Sequence, residues 1–474
     1  MSINTTSISI PTTDYLPVDN PTASFWQEKP HQFHDLRTTL ELPPSSDVVI
    51  IGAGYAGIAT AYHLAKAEKN LRITVLEARG VCSGATGRNG GHLRPDMYGH
   101  IPTYMERAGV EAGLEIAQFE VAHLDAIKKV IEKEKIDCDF TLTRTVDVWI
   151  NEAAAKRATE TYNLMASRNL EYMDDVFFSR SEDAENISGI KGAKACATYT
   201  AGTISPYKFI LGLTEILNSD PLVNIQTYTP VTKVSPDPKG GFIISTHRGT
   251  THAKQVVYAN NAYVAGLLPE YNKAIVPCKG TCSHITVPVG KRAPQLTNSY
   301  IIREEDSTLS YLIPRIDGSI VVGGANSKYK PFLDQWYNNV DDSNLIEMGK
   351  DHFDTYMQRF FHGWEDSGAR VDKIWSGVMG YSFDSNPHIG ALPKKDGSEK
   401  WWWQRIVPEK DNQFVLAGFN GHGMPVIWLA AKGISKMITE GVDFEETKMP
   451  RLFKTTRERI ENSLKGPEGG DILV

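Results

Sequence analysis

The sequence has little of what marks membrane proteins or nucleic-acid-binding proteins. Its apolar runs all stay well short of the roughly 18 residues that a membrane-spanning helix needs. Basic residues do not exceed acidic ones, and the net charge of -7 argues against nucleic acid as the main partner. With 41% hydrophobic and 23% charged residues, the composition is that of an ordinary globular protein. We therefore expect a small-molecule partner and no membrane association.

Cysteine is also scarce. The chain has five cysteines, odd in number and scattered, which does not suggest a disulfide framework: Cys82, Cys138, Cys196, Cys278 and Cys282. The pair in CKGTC has no second Cys/His cluster to complete a metal site, so we expect structural thiols and no metal. The N-terminus lacks the basic start and apolar block of a secretory signal, and the C-terminal DILV is not a peroxisomal signal. These features predict a cytoplasmic protein.

Chain length predicts two domains or one domain with large insertions. A chain of 474 residues is longer than a single core usually supports. Residues 1–45 are polar and proline-rich and indicate an extended arm, whose second half we expect to lie across the body through Phe25 and Trp26. WWW at 401–403 indicates an inserted hairpin, in which the tryptophans pack locally or line an entrance or a subunit contact.

The segment from residue 47 to 78 has the pattern of a β-α-β unit. DVVII (47–51) is typical of a buried parallel strand, residues 55–68 change to helical spacing, and RITVLEA (72–78) returns to strand character. Apolar spacing predicts further helices at 109–135, 151–168 and 205–217, the last with Ser205 as a candidate cap and Pro206 at its first position. Strands are predicted at 242–246, 255–259, 281–287, 309–314 and 319–323.

Between the first strand and the first helix the chain reads GAGYAG. A bare G-x-G-x-x-G motif is weak, but here it ends a buried strand, opens a helix and is followed by Glu77, 20 residues after its third glycine. In dinucleotide sites Gly52 would permit the tight turn, Gly54 would let the backbone approach a pyrophosphate, and Gly57 would let helix and strand pack closely. Glu77 would accept hydrogen bonds from an adenosine ribose and repel a 2′-phosphate, which favours FAD or NAD over NADP.

The next segment, SGATGRNGGH (83–92), contains four glycines and no large apolar side chain. A fold that binds only a nicotinamide cofactor normally continues into an ordinary helix here, so the segment favours a cofactor that extends beyond its pyrophosphate. Small polar side chains could contact that cofactor, and paired glycines leave room for a bulky ring: Ser83, Thr86, Asn89, Gly90 and Gly91. Arg88 can offset phosphate charge or cap a loop. The alternative is a flexible glycine loop with Arg88 at the surface.

Five later segments complete a pattern that resembles the FAD-dependent D-amino acid oxidase-like superfamily over about residues 46–440. They are TPVTKV (229–234), VVYANNAY (256–263), YLIPRIDGSIVVGGAN (311–326), WSGVMGYSFDSNPHIG (375–390) and LAGFNGHGMPVIWLAAKG (416–433). GATGRNGG is similar to the branch that contains gamma-glutamylputrescine oxidases, and the arm resembles fungal members of that branch.

The resemblance implies an α/β fold with two domains. A Rossmann-like FAD-binding domain would be discontinuous, over 46–100, 200–275 and 376–445. A second, mostly antiparallel β-sheet substrate domain of α+β type would comprise 101–199 and 276–375. The arm at 1–45 and a C-terminal tail at 446–474 complete the expected division.

The resemblance also implies how FAD is held. Binding would be noncovalent, because the cysteine that tethers the flavin in some relatives is absent from WSGVMGYS, although His92 is a conceivable tether. Val231 would contact the adenine side through its backbone, and the amides of residues 421–424 would lie by the flavin's pyrimidine edge, with Pro425 at the start of a helix. The expected FAD contacts are Gly52, Ala53, Gly54, Tyr55, Ala56, Gly57, Glu77, Ala78, Arg79, Ser83, Gly84, Ala85, Thr86, Arg88, Asn89, Gly90, Gly91, His92, Val231, Ala259, Asn260, Asn261, Gly421, His422, Gly423 and Met424.

Flavin oxidases of this group remove a hydride from the carbon next to nitrogen. The resulting imine is hydrolysed, and oxygen reoxidises the flavin to give peroxide. The candidate catalytic residues are His92, Lys279, Tyr381 and His422. Each has a simpler alternative: either histidine could pack behind its loop, Tyr381 could belong to the core, and Lys279 could be solvated.

One departure from the family bears on the substrate. Relatives that oxidise α-amino acids carry an arginine two residues after the glycine of a W-x-G segment, where this chain has Met379. Unless Arg303 or Arg315 substitutes, a simple amino acid would lose its carboxylate anchor. We therefore favour an amine or a longer amino compound, with Met379 and Tyr381 lining the pocket.

Other functions remain open at this point. They are an FAD-dependent dehydrogenase, a D-amino acid oxidase or deaminase of the same fold, and a noncatalytic FAD-binding protein. A flavin monooxygenase would normally need a second nucleotide motif, which the sequence lacks. The sequence leaves the oligomeric state open.

Overall fold

The computed structural model describes residues 15–305, 308–393 and 412–473. The tryptophans at 401–403 lie outside the described residues, so their packing stays a prediction. Two β-sheets organise the described part of the chain. No helix within it is both long enough and apolar enough to cross a membrane.

The first sheet has a parallel centre. Its strands are β1 (Ser45–Ile51), β2 (Ile73–Leu76), β7 (Val223–Gln226), β8 (Val231–Pro236), β9 (Phe242–Thr246), β10 (Gly249–Tyr258), β16 (His388–Ala391) and β17 (Gln413–Ala417). Five of them run parallel in the order β17-β10-β1-β2-β7. β16 pairs antiparallel with β17, and the β8–β9 hairpin extends from β10. β1 and β2 are almost wholly buried, as continuous apolar strands in a parallel sheet must be.

The second sheet is mostly antiparallel. Its strands are β3 (His92–Leu93), β4 (Thr141–Trp149), β5 (Phe177–Arg180), β6 (Ala195–Thr203), β11 (Ile275–Thr286), β12 (Ser299–Glu305), β13 (Thr308–Pro314), β14 (Ile320–Gly324) and β15 (Arg370–Ser382). Their order is β15-β11-β14-β13-β12-β4-β6-β3, with β5 beside β6. Only the β12–β4 pair among these neighbours is parallel. The predicted α/β fold class with a second, mostly antiparallel sheet is therefore confirmed.

Helices pack on both sheets. They are α1 (Tyr55–Ala67), α2 (Ile101–Ala108), α3 (Val110–Glu134), α4 (Glu152–Ala166), α5 (Ser181–Ser188), α6 (Pro206–Asn218), α7 (Asn326–Tyr329), α8 (Leu333–Trp336), α9 (Tyr356–Phe360), α10 (Ile427–Thr439) and α11 (Arg457–Lys465). The helix predictions at 55–68, 109–135, 151–168 and 205–217 are confirmed to within two residues at each end. At the last of them, the Ser205 hydroxyl accepts a hydrogen bond from the Lys208 amide at 3.4 Å and caps α6.

The strands divide along the chain much as the expected domains do, with three differences. β3 and the C-terminal parts of β6 and β15 belong to the second sheet, although they fall in segments expected for the FAD-binding domain. The domain boundaries themselves stay a prediction.

The second half of the arm lies across the body, as predicted. The Trp26 side chain is buried, and its indole donates a hydrogen bond to the Asn89 carbonyl at 2.6 Å. The Phe25 ring stacks on His284 with centroids 3.8 Å apart. The buried Ser24 hydroxyl donates to the Gly87 carbonyl at 2.7 Å. The arm is thus fastened to the glycine-rich segment.

Candidate cofactor and substrate site

The carboxyl ends of four parallel strands meet at one edge of the first sheet. β1 leads into Gly52, β2 into Glu77, β10 into Ala259, and β17 into the loop 418–426. Residues from all four junctions border a cavity of about 390 Å³. Because ligands of open parallel sheets bind outside the carboxyl ends of the strands, the fold places a binding site here.

The GAGYAG turn needs glycine at two positions. Gly52 has a φ of +109°, a conformation that favours glycine. A Cβ atom on Gly57 would lie 1.8 Å from the Gly52 carbonyl oxygen, so only glycine lets α1 begin this close to β1. Gly54 caps α1 without a side-chain hydrogen bond, and the Thr86 hydroxyl accepts one from the Tyr55 amide at 3.0 Å. The glycine-rich segment is therefore attached to the N-terminus of α1.

Glu77 connects the two loops that follow β1 and β2. One carboxylate oxygen accepts a hydrogen bond from the Ala53 amide at 2.8 Å, and the other accepts one from the Arg79 amide at 2.8 Å. Each carboxylate oxygen can accept a second bond. Glu77 borders the cavity, so it keeps acceptor capacity for hydroxyl groups of a bound molecule.

Arg88 is buried and braces three segments. Its guanidinium donates to the carbonyls of Ser83 at 3.0 Å, Ser376 at 2.6 Å and Thr22 at 2.7 Å. The alternative of a surface arginine on a flexible loop is wrong, because Arg88 is 3% exposed. Since its donors are taken up by protein carbonyls, we assign Arg88 to capping this loop and not to a phosphate.

Arg79 and Arg88 share one buried carboxylate. Asp342 makes a two-point contact with the Arg79 guanidinium at 3.0 and 3.1 Å and lies 3.4 Å from Arg88. Burial lowers the pKa of Arg88 to about 10, against the attraction of Asp342, and the group keeps its charge at neutral pH. The three side chains leave one net positive charge near the edge of the first sheet.

A second cavity of about 440 Å³ adjoins the first. Its walls include β11, β13 and β15 of the second sheet, the segment 85–104, the loop 418–426, and residues of α3 and of the C-terminal segment. Six residues border both cavities, which places the two spaces side by side: Ala85, Asn89, Met379, Phe419, Gly421 and Met424. One elongated ligand can therefore extend from the sheet edge to the second sheet.

Most of the expected cofactor contacts border these cavities. The first is lined by Gly52, Gly54, Tyr55, Ala56, Glu77, Ala78, Arg79, Gly84, Ala85, Thr86, Asn89, Val231, Ala259, Asn260, Asn261, Gly421, Gly423 and Met424. The second adds Arg88, Gly90, His92 and His422. Four expected contacts border neither cavity: Ala53, Gly57, Ser83 and Gly91.

The paired glycines lie close to other parts of the protein. A Cβ atom on Gly90 would lie 2.4 Å from the ring of Tyr311. Gly91 has a φ of +80°, and a Cβ atom there would lie 2.1 Å from the Ile204 carbonyl oxygen. Gly91 borders neither cavity and makes room for the neighbouring main chain. Gly90 borders the second cavity, so the space it leaves for a cofactor ring stays a prediction.

The residues at the sheet edge fit FAD. At the N-terminus of α1 the Tyr55 amide is bound by Thr86, and the amides that follow it in the first turn are available to a diphosphate. The carboxylate of Glu77 suits ribose hydroxyls. The Asn260 side-chain oxygen is buried on the cavity wall and has no hydrogen-bond partner among the described residues. A polar molecule in the cavity would satisfy that oxygen.

The loop 418–426 differs in detail from its prediction. α10 begins at Ile427, two residues after Pro425, so this proline lies in the preceding turn. The His422 amide donates to the Phe419 carbonyl at 2.8 Å and is not available to a ligand. The expected row of ligand-facing amides is therefore reduced by one.

Three of the four candidate catalytic residues border the second cavity. His422 accompanies His92 and Tyr381 on its wall, so the alternative of a histidine packed behind the loop is wrong for His422. His92 Nε2 lies 2.8 Å from the Ser299 hydroxyl, and burial, together with the nearby Arg94, keeps the pKa of His92 well below its usual range. Burial also raises the pKa of Tyr381.

Lys279, Arg303 and Arg315 are not brought to either cavity wall. Lys279 is 5% exposed, so a solvated lysine is also wrong. Arg303 lies 3.4 Å from Asp147 and stacks on a tryptophan ring. Arg315 binds Asp139 at 2.7 Å and stacks on an arm tryptophan. Neither arginine replaces the missing carboxylate anchor, because each is held by a carboxylate and an aromatic ring elsewhere.

Several residues on the wall of the second cavity were missed from the sequence, among them Tyr311, Arg94 and Glu120. Tyr311 hydrogen-bonds Cys282 Sγ through its hydroxyl at 3.0 Å. Arg94 donates to the Tyr199 hydroxyl and lies 4.0 Å from Asp147. Glu120 comes from the middle of α3. Tyr311 begins one of the segments that resemble the family, and Glu120 had a signal of its own, since a carboxylate on the apolar face of an amphipathic helix is unusual.

The described residues contain no metal site. No group of three or more His, Cys, Asp or Glu side chains among them could hold a metal ion. All five cysteines are buried and unpaired.

Comparison with known proteins agrees with this site. The family model for DAO, FAD dependent oxidoreductases, matches residues 47–437. Gamma-glutamylputrescine oxidoreductase of Escherichia coli is 23% identical over 408 residues, covering 84% of this chain and 85% of the relative. Glycine oxidase of Bacillus licheniformis is 24% identical, covering 74% of this chain and 85% of the relative.

A solved structure has the same fold. The crystal structure of glycine oxidase from Geobacillus kaustophilus superposes with a TM-score of 0.65 at 19% identity, covering 86% of this chain and 99% of that one. The family match extends over most of the chain and includes every strand of the parallel sheet that borders the first cavity. The chain therefore belongs to the DAO family of FAD-dependent oxidoreductases, which includes amine and amino acid oxidases.

Proposed function

We propose that this protein oxidises a C–N bond of a small amine or amino compound to an imine, with oxygen as the electron acceptor and hydrogen peroxide as a product. The observation that carries the proposal is the continuity of the two cavities. A dinucleotide site at the sheet edge leads directly into a second space walled by Met379, Tyr381 and His422. A noncatalytic FAD-binding protein would not need that second space.

The residues divide into three groups along the proposed cofactor. Glu77 and Val231 would hold the adenosine end. The N-terminus of α1 would hold the diphosphate. Met379, Gly421 and Met424 border both cavities and would flank the ring system at their junction. When bound, FAD would supply the hydride-accepting chemistry. The chain's own part is to hold the C–H bond in place, keep the amine neutral and exclude bulk water.

The wall of the second cavity favours an amine over a simple amino acid as the substrate. Met379 stands where relatives that oxidise α-amino acids have arginine, and three carboxylates border the cavity: Asp96, Glu120 and Asp471. The guanidinium groups of Arg88 and Arg94 also border the cavity, so carboxylates exceed guanidinium groups by one, which favours a cationic amine. Arg94 is the observation that favours the second candidate, an amino acid oxidase or deaminase, because its guanidinium also borders the cavity and could hold a carboxylate.

Anaerobic mixing of the flavin-loaded protein with candidate substrates tests the reaction. Polyamines and N-methyl amines are expected to bleach the flavin absorbance, and admitting air is expected to restore it with release of peroxide. The matched controls are amino acids of both configurations that differ from the amines by one carboxylate. Bleaching by the acids alone would favour the second candidate. Bleaching without peroxide would identify a dehydrogenase, and no bleaching at all would contradict the proposal.

Glu77→Ala is expected to weaken FAD binding by about 1.5 to 3 kcal/mol, the range for hydrogen bonds to a charged group. The variant loses the ribose contact proposed for the carboxylate and also releases the Ala53 and Arg79 amides. Equilibrium titration of the apoprotein, followed by quenching of flavin fluorescence, measures the change. An unchanged affinity would remove Glu77 from the site. Glu68→Ala, at the end of α1 and outside both cavities, is the control.

Three further parts of the proposal rest on sequence features. We propose that FAD is bound noncovalently, because WSGVMGYS contains no cysteine. We also propose a cytoplasmic location, because five unpaired thiols suit a reducing compartment. The similarity of the arm to fungal members of the gamma-glutamylputrescine oxidase branch stays a prediction.

A further inference from the structure

Glu120 is a charged side chain in the middle of a helix, yet it is buried. It lies on α3 and is 3% exposed, on the same face as Ile116 and Leu124. A buried carboxylate needs partners that offset its loss of water. The hydrogen-bond partners of Glu120 indicate its role.

Glu120 Oε2 is the meeting point of two hydrogen bonds. His422 Nε2 lies 2.8 Å from it, and the Asp96 amide donates to it at 2.7 Å. The neighbouring His123, one turn along α3, holds the start of α10 through the Val426 carbonyl at 2.7 Å. Helix α3 therefore fixes the loop that carries His422, and Glu120 fixes the imidazole itself.

The bond to Glu120 decides which ring nitrogen of His422 carries the proton. An ionised carboxylate only accepts hydrogen bonds, so Nε2 must be the donor. In the neutral ring, Nδ1 then has no proton and can accept one. The His422 side chain is 35% exposed and borders the second cavity, where the proposed substrate would lie.

We propose that Glu120 is the positioning residue for His422, and that His422 is the base that removes a proton from the ammonium group of the substrate before oxidation. This inference rests on the proposed function. Amines are mostly protonated at neutral pH, and an ammonium nitrogen has no lone pair to assist hydride loss from the adjacent carbon. A site that oxidises amines must therefore deprotonate them or bind only the scarce neutral form.

The step is a simple proton transfer. The ammonium N–H bond breaks, its electron pair stays on nitrogen, and a new N–H bond forms at His422 Nδ1. His422 becomes imidazolium, and the negative charge of Glu120 stabilises it. No oxidant takes part, and the proton later passes from the imidazolium to solvent.

Other ionisable groups surround His422 and could contribute to a pH profile. They come from α3, from β3 and the segment after it, from α2, from β15 and from the C-terminal segment: His123, His92, Arg94, Asp96, His100, Tyr104, Tyr381 and Asp471. Burial lowers the pKa of His123 to about 4, and the pKa of His92 is also well below its usual range. The Asp96 carboxylate raises the pKa of His100. The titration of His100 could therefore be mistaken for that of His422, and the variant His100→Asn serves as the control.

The first experiment uses the flavin-loaded protein without substrate. Histidine side chains are labelled with ¹⁵N, and the His422 signal is identified by its loss in His422→Asn. We expect the neutral ring to carry its proton on Nε2. Because the carboxylate favours the imidazolium form, Glu120→Gln is expected to lower the His422 titration midpoint by about one pH unit or more. Glu120→Asp, which keeps the charge, is expected to retain most of the wild-type midpoint.

The second experiment follows anaerobic flavin reduction by an amine across pH. The neutral imidazole is the working form, so the wild-type rate falls below its midpoint. In Glu120→Gln that fall is expected to move to lower pH, and the plateau rate to decrease about tenfold because the base is weaker. His422→Asn is expected to lose about 100-fold at neutral pH. Glu115→Gln, on the same helix but paired with Arg451 outside the cavity, is the matched control and should behave as wild type.

The outcomes separate this inference from the proposed function. If no amine reduces the wild-type flavin, the proposed function fails, while the imidazole titration still decides whether Glu120 controls His422. An unchanged His422 midpoint and tautomer in Glu120→Gln would overturn the positioning role. Rapid reduction by amines in His422→Asn, with the wild-type pH profile, would overturn the role of His422 as the base.

Discussion

Gly57→Ala is expected to destabilise the protein by about 2 to 3 kcal/mol and to abolish FAD binding at micromolar cofactor. Alanine is normally favourable inside a helix, so the sign of the effect comes from one contact. The new Cβ atom would lie 1.8 Å from the Gly52 carbonyl oxygen, which is backbone and cannot rotate away. The start of α1 would have to move from β1, and the turn proposed for the diphosphate would move with it. Chemical denaturation and flavin titration measure the two effects.

Gly84→Ala is the matched control for stability. Its Cβ atom would meet nothing within 4 Å, and its φ of -81° is ordinary for alanine. We expect its unfolding midpoint to stay near wild type or rise slightly, because alanine restricts the unfolded chain. Equal midpoints for Gly57→Ala and the wild type would show that the close helix–strand approach is not required.

Asp342→Ala is expected to destabilise the protein by about 3 to 5 kcal/mol, the range for removing one partner of a buried ion pair. The Asp342 side chain is 1% exposed, and the two guanidinium groups that share it are 7% and 1% exposed. Without the carboxylate, two positive charges face each other away from water. Because Arg88 also holds the arm through the Thr22 carbonyl, we expect the arm to become susceptible to limited proteolysis.

Asp125→Ala is the control for Asp342→Ala. Asp125 pairs with Lys129 on the surface of α3, and both side chains are mostly exposed. Exposed pairs of this kind contribute little to stability, so we expect no measurable change in the unfolding midpoint. If Asp342→Ala behaved like the control, the buried cluster would not hold the arm to the site.

Local patterns predicted the cofactor half of the molecule well. The run DVVII, the glycines of GAGYAG and the position of Glu77 all lie within about 30 residues, and their geometry is set by short-range sterics. The amphipathic helix at 109–135 was found for the same reason. The buried face of that helix, α3, also includes the polar residues Glu120 and His123. Polar residues on that face were the available signal for the His422 contact.

The substrate half depends on contacts between distant parts of the chain, which sequence spacing does not report. Arg303 and Arg315 were candidates for a carboxylate anchor, but Asp147 and Asp139 hold them elsewhere. Arg94 borders the cavity only because β3 joins the far edge of the second sheet. Asp342, in a loop of the substrate half, pairs with Arg79 and Arg88 of the cofactor half. These partners are set by tertiary packing.

The most direct test of the account is equilibrium titration of the purified, flavin-stripped protein with FAD. We predict one FAD bound per chain, a yellow complex with the absorbance of oxidised flavin, and much weaker binding of FMN, which lacks the adenosine that Glu77 and Val231 are proposed to hold. A protein that stays colourless after reconstitution, or that binds FMN as tightly as FAD, would contradict the assignment of the two joined cavities to one adenine-linked flavin.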